Sequence, residues 1–349
     1  MQRRLAVTCF AIVCLMATAD VCGGNDPRPS ADAPIDVQPA PRMSRRAQRR
    51  ANRRRATPPE ESGPIGVTST LASPFESMGA AAREPFVVHR DQPYGDVAPD
   101  RQRFDIYLPK GCGGGLPLVV WIHGETWRCG SKADCPVTWL TDAGYAVASV
   151  GYRLTDTAPF PAQLDDCLAA IATLERDAEM WGIDRDRIGV VGTAAGGHLA
   201  ALAGLWDQPT DDRPLPHIAA VCAIDAPTHL TTLGPESDRA TSPASQLVGG
   251  PLPEFREAAQ QASPLVHISA DDPPVLVVHA RRDPRVPIEQ SRRFDAALRA
   301  AGVRSELITV DAAGCATLDR DSAAGRALVE FLEHTLGSGY RPGQDAAQP

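Results

Sequence analysis

The chain has 349 residues, 43% of them hydrophobic and 22% charged. That is enough apolar content for one large α/β domain with a sizeable core plus appended segments, and it excludes a chain disordered throughout. The formal net charge of −8 makes the protein anionic overall, so affinity for a polyanion has to come from a local basic run.

Residues 1–19 begin with Arg3 and Arg4, continue through an apolar run over 5–16 and close on Ala17 and Ala19. This is the layout of a cleavable secretory signal, with cleavage expected after Ala19 and a secreted or periplasmic location. The run is shorter than the ~20 residues a bilayer span needs, and Val21 before Cys22 lacks the small residue of a lipid-attachment site. Residues 20–83 are rich in Pro, Ala, Ser and Arg, which predicts a disordered linker. Within it Arg45, Arg46, Arg49, Arg50, Arg53, Arg54 and Arg55 form a basic arm. It reads as a self-repelling tether or as a docking patch for an anionic polymer.

From residue 84 to 337 strand and helix signals alternate, which predicts a mostly parallel sheet with helices on both faces. Strands are expected over 86–89, 103–108, 116–123 and 145–152, the third a near-continuous apolar run suited to a central strand. Between 161 and 182, Leu164, Cys167, Leu168, Ile171 and Leu174 fall at helical spacing, with Asp165, Asp166, Glu175 and Arg176 expected outward. Further strands are expected over 218–224, 275–279 and 306–310, and amphipathic helices over 288–301 and 322–336. Residues 226–272 have no regular period and read as a lid-like, substrate-facing insertion. Residues 338–349 read as a flexible tail.

The organising stretch is RIGVVGTAAGGHLAAL, residues 187–202. A β-branched run (Ile188, Val190, Val191) meets a Gly-rich corner and enters an alanine-rich helix, the strand, sharp turn and helix of a nucleophile elbow. Gly192 and Gly196 flank the centre. The centre itself, where G-x-S-x-G demands a hydroxyl, is Ala194, and a methyl group has no lone pair with which to attack a carbonyl.

Four segments in this order, RFDIYLP, WIHGETWRCGSK, GTAAGGHLAAL and HARRDPRVPIEQSRRFDAALRAAGV followed by VDAAGC, resemble the α/β-hydrolase fold. The resemblance is closest to its esterase/lipase branch of carboxylesterases, acetyl-xylan esterase-like and feruloyl-esterase-like enzymes, and it covers about residues 86–336. It implies an oxyanion loop at His123, Gly124, Glu125 and Thr126, with Glu125 and Thr126 standing where the family has glycines, and a second donor from the amide of Ala195. A Glu125 side chain either narrows the loop and opposes developing negative charge or points to solvent. The resemblance places the acid at Asp283, which could equally cap a turn before Pro284. It places the base at Cys315, where a thiol is a poor substitute for imidazole. His198 is expected to be a packing residue and His279 lies inside a strand.

The reading that follows is a secreted α/β-hydrolase homologue that does not hydrolyse esters and binds a carbohydrate ester, an acylated polymer or a partner. The alternatives are an active ester hydrolase using Cys315 as nucleophile, and a surface-attachment protein acting through the Arg-rich arm. No cofactor is expected, and no His/Cys cluster has zinc spacing, so no metal is assigned. Removal of the signal leaves an odd set of cysteines, of which Cys129 and Cys135 are expected to close a small disulfide loop.

Overall fold

Leu116–Ile122 is buried along its whole length and forms β3 in the middle of an eight-stranded sheet. The computed structural model describes residues 86–208, 214–312 and 314–339. The signal-like start, the linker with its Arg-rich arm and residues 340–349 lie outside them. The other strands are β1 (Phe86–Pro93), β2 (Arg103–Pro109), β4 (Ala146–Val150), β5 (Ile183–Thr193), β6 (Ala220–Ile224), β7 (Val275–Ala280) and β8 (Ser305–Val310). Their order is β1-β2-β4-β3-β5-β6-β7-β8. The pairs β1·β2 and β2·β4 are antiparallel, and every later pair is parallel.

A parallel sheet has to be covered on both faces, which explains why β3, β4, β6 and β7 carry no exposed residue. The alternation of β3 serves both layers. Leu118, Val120 and Ile122 face a core shared with helices α1 (Ala162–Arg176), α2 (Ala195–Leu205) and α5 (Glu289–Ala300). Val119 and Trp121 face a second core closed by α6 (Ala323–Leu336) through Leu328, Phe331 and Leu332. Each such apolar side chain contributes about 1.5–3 kcal/mol on burial.

The helix predicted over 161–182 forms as α1 with its apolar stripe buried, followed by a short turn of helix at Ala178–Trp181. Asp166, expected outward, is buried. Its carboxylate is paired with Arg153 (Nη2 to Oδ1 2.7 Å) and accepts from the Arg153 amide (2.8 Å) and Gln102 Nε2 (2.7 Å), so the charge is compensated where it sits.

Residues 226–272 hold two six-residue helices, α3 (Pro243–Val248) and α4 (Arg256–Gln261), and three short 3-10 turns. Helices this short leave too few turns for a sequence period to register. Ser242 caps α3, its hydroxyl accepting from the Ser245 amide at 3.0 Å ahead of Pro243. Leu230, Leu247, Leu252 and Leu265 of this segment are buried in the α1/α2 core, and the Phe160 amide donates to the Leu247 carbonyl at 2.7 Å.

The cysteine pairing is corrected. Cys129 and Cys135 are both free thiols; Cys129 is exposed, whereas Cys135 packs against the α6-side core. The loop between them carries its two ends into different environments. No helix among the described residues is long and apolar enough to cross a membrane.

Candidate active site

β5 delivers the chain to Ala194, which takes φ 49° and ψ −116°, and α2 starts at Ala195. This backbone conformation is one that L residues avoid. It is held by the Ala194 amide donating to the Ile224 carbonyl (2.8 Å) and by the His198 amide returning to the Ala194 carbonyl (2.9 Å). The flanking glycines are steric necessities: a Cβ on Gly192 would collide with the Gly196 carbonyl, and one on Gly196 with the carbonyls of Ile122 and His123. The elbow geometry is therefore present, and Ala194 stands half-buried at its apex. As the first residue of α2, Ala195 has an amide with no acceptor within the helix.

The loop after β3 lies against this corner. A Cβ on Gly124 would come within 2.6 Å of the Thr193 carbonyl, so that position admits only glycine. Glu125 (φ 69°) and Trp127 (φ 60°) hold the left-handed backbone of a glycine loop while carrying side chains. Of the two orientations open for Glu125, the exposed one is found. Thr126 is half-buried, and its hydroxyl accepts from Arg128 Nε at 3.4 Å. Trp127 turns inward, its Nε1–H donating to His198 Nδ1 at 3.3 Å, while its carbonyl accepts the Thr155 amide at 3.0 Å.

His123 is buried behind the loop with its ring stacked on Tyr152, centroids 4.2 Å apart, and the Tyr152 hydroxyl donates to the His123 carbonyl at 3.1 Å. Burial, aided by Arg101, lowers its pKa to about 4, so the ring is neutral near pH 7. His198 is likewise a core histidine. Its Nε2–H donates to the Ala262 carbonyl at 2.6 Å, and burial holds its pKa down at about 4. His279 donates from Nε2 to the Val286 carbonyl (2.9 Å) and accepts at Nδ1 from Ser291 Oγ (2.7 Å), so both ring nitrogens are engaged.

Asp283 follows β7, and its Oδ1 accepts from the amides of Arg285 (2.7 Å) and Val286 (3.0 Å). It thus occupies the turn-capping role that was the alternative to an acid. Cys315 follows β8. The structure brings it to Asp283, and adds two residues that sequence reasoning missed. Asp225, directly after β6, is fully buried at φ 48°. The Asp225 and Asp283 carboxylates and the Cys315 sulfur lie within 4.8 Å of one another. Arg285 Nη2 donates to Cys315 Sγ at 3.4 Å. The signal for Asp225 was a carboxylate ending the apolar strand AVCAI, just before Ala226-Pro227.

Burial raises the pKa of Asp225, and Asp283 adds to the shift. Burial also raises that of Cys315, with the Asp225 and Asp283 carboxylates adding to the rise and Arg285 opposing it. The thiol is thus held protonated. The Asp225 oxygens are committed to the amides of Ala280 and Ala316, and a guanidinium sits on the thiol, so this cluster gives no argument for a cation.

Compared with known proteins, the BD-FAE family model matches residues 104–298, more than half of the chain. The chain belongs to the BD-FAE family. This is an α/β-hydrolase esterase family, and the match runs from β2 into the last turn of α5, taking in the elbow, the glycine loop and Asp283. A second model, described as TAP-like protein, matches residues 254–346. Esterase LipC of Mycobacterium tuberculosis is 31% identical over 53% of this chain and 48% of its own. The isoprenylcysteine alpha-carbonyl methylesterase ICME of Arabidopsis thaliana is 27% identical over 63% and 55%. The chain spans about half the length of the curated relatives it matches. Among solved structures, a truncated form of a carbohydrate esterase from gut microbiota superposes with a TM-score of 0.66 at 25% identity, over 72% of this chain and 98% of that one. A bifunctional GH43-CE protein of Bacteroides eggerthii gives 0.64 at 28% identity over 71% and 38%.

Proposed function

We propose that this BD-FAE member is an exported protein that binds an ester-bearing ligand, a carbohydrate ester or acylated polymer, in the elbow cleft without hydrolysing it. The observation that carries the reading is Ala194, which keeps the strained elbow backbone at φ 49° with a methyl group at its apex. A Cβ in this conformation costs on the order of 1–3 kcal/mol, and strain of this size persists where a site is under constraint. Glu125, Trp127 and Asp225 also take positive φ without being glycine.

Chemistry supports the non-hydrolytic half. Acyl transfer needs a nucleophile, a base and oxyanion donors acting together, and loss of the nucleophile alone costs about 10⁶ in rate. The thiol of Cys315 is a weak replacement, because its pKa is raised and its neighbours are two carboxylates and a guanidinium, with no available imidazole. The esterase and carbohydrate esterase names of the relatives support the ligand class. The Arg-rich arm would supply a second contact to an anionic surface polymer.

The test is an assay with p-nitrophenyl acetate and labelling with a fluorophosphonate and with iodoacetamide, beside co-sedimentation with acetylated xylan. No turnover above buffer, no fluorophosphonate adduct and retention on the polymer are expected. Robust hydrolysis abolished by Cys315→Ala overturns the reading.

A further inference from the structure

A cavity of about 290 Å³ lies at the end of the sheet opposite the elbow. Leu108 and Pro109 close β2, Leu116 opens β3 and Trp181 stands just before β5, and all four line it together with Val87 of β1. The wall is chiefly apolar. Its volume sits at the bottom of the ~300–1,000 Å³ range of small-molecule sites, nearer the size of a large side chain than of a free ligand. The surface around it is incompletely covered: Val87 and Met180, the neighbour of Trp181, are two of the four exposed large apolar side chains among the described residues.

The position of the cavity names its occupant. Phe86, where the described residues begin, pairs with Pro109 of the wall, and Val87 follows it. The chain therefore arrives at β1 beside the cavity. Immediately upstream, residues 71–85 read LASPFESMGAAAREP, and Phe75 is the only aromatic residue between positions 20 and 85. The stretch from Phe75 to Phe86 extends to about 40 Å at most, ample for a return to a wall next to the entry point. A tether this short holds a segment at roughly millimolar effective concentration, an advantage that neither a second copy nor a foreign peptide has. Glu76 follows Phe75, and Lys110 of the wall carries the opposite charge.

We propose that residues 74–79 fold back on the domain and seat Phe75 in this cavity, against Val87, Leu108 and Trp181. The ring covers apolar surface that the sheet leaves open, as a large aromatic side chain does at little cost in side-chain freedom. The Arg-rich arm then departs from the end of the domain away from the cleft. None of this depends on whether the cleft hydrolyses esters.

The test uses the full exported chain with a thiol placed near Phe75 by Ser77→Cys. Cys112, half-buried in the cavity wall, is its partner. Under copper-phenanthroline oxidation, mass spectrometry should find an intramolecular disulfide from position 77 to Cys112. It should form about tenfold faster or more than in the Ser77→Cys, Phe75→Ala double variant, the ratio being that of a buried ring to none. The tether is equally long in both, so a chain that is only tethered gives equal rates. Ser73→Cys repeats the comparison from the other side of Phe75, so poor alignment of one thiol is not decisive. A smaller ratio at both positions, or no link to Cys112 at either, overturns the proposal. So does a link between two chains in a mixture of isotopically labelled and unlabelled protein, which would assign the cavity to a second copy.

Discussion

The carboxylate of Asp225 accepts the amide of Ala316 at 2.6 Å, tying the end of β6 to the loop after β8 that carries Cys315. Its other oxygen accepts the Ala280 amide at 2.7 Å, where β7 ends and the Asp283 turn begins. One buried side chain therefore fixes two loops of the cleft. Asp225→Ala strands both buried amides and is expected to destabilise the domain by at least about 2 kcal/mol. The pH dependence has a definite sign. Burial raises this carboxyl above its ordinary 3.8, so the folded chain holds the proton more tightly than the unfolded one. Its contribution to stability is full below pH 3.8 and is lost as pH rises through the raised value. Urea unfolding of wild type and Asp225→Asn across this window checks it. The stability of wild type relative to the variant should decline with rising pH, and a flat difference counts against the shift.

Ala194→Gly should raise thermal stability. Glycine removes a Cβ cost on the order of 1–3 kcal/mol at φ 49°, against about 0.4–1 kcal/mol lost to the greater freedom of the unfolded chain. Calorimetry should give a Tm a few degrees higher; a clear fall would mean that Ala194 is unstrained in solution.

Rebuilding the site is expected to be stepwise. Ala194→Ser alone should leave ester turnover at the buffer level, since no base faces the new hydroxyl. Adding Cys315→His, with Asp283 beside it, should give weak activity. Adding Glu125→Gly and Thr126→Gly restores the loop composition that matches the φ 69° backbone at 125 and should raise the rate further. A single oxyanion donor is worth about 10²- to 10³-fold. Initial rates with p-nitrophenyl acetate decide each step, and activity in the serine variant alone would refute the sequence of events.

His198 gives a second pH effect of opposite direction. Its pKa is lowered to about 4 from 6.5, so the stability it contributes is present above pH 6.5 and is lost as pH falls toward 4. The loss amounts to roughly 3 kcal/mol at 1.36 kcal/mol per unit. In His198→Gln, which can still bond Trp127 and Ala262, the slope of stability between pH 6.5 and 4 should decrease by about one proton. An unchanged slope would place the titration elsewhere.

Iodoacetamide should modify Cys129 quickly and spare Cys135. Cys129 is exposed, while burial pushes the Cys135 thiol up to about 12. Mass spectrometry of the unreduced protein reads this directly, and a peptide linking the two would contradict free thiols.

The sheet was legible in the sequence because its strands are apolar runs bounded by glycine and proline, and because Gly192 and Gly196 mark a corner that has no other local use. The apex of the elbow and the Asp283 turn were legible for the same reason, since backbone geometry there is written in adjacent residues. Asp225 and Arg285 were not, because their roles depend on β6, β7 and β8 lying side by side, and no local pattern records that adjacency. Asp166 misled in a similar way: it was read onto the outward face of the helix, whereas it is buried, because its partner Arg153 comes from another segment. The helices of residues 226–272 were missed because six residues make fewer than two turns.

The interlocking of Gly124, Gly192 and Gly196 has a consequence for how relatives of this chain are sorted. A Cβ at any of the three strikes a backbone carbonyl. These positions are therefore guarded by folding itself, in lineages that turn over esters and in lineages that do not. A glycine frame required by packing carries no information about chemistry. What can separate working members of such a lineage from those that have taken up another trade lies outside that frame: the residue at the apex, the loop positions 125 and 126, and the one that follows β8.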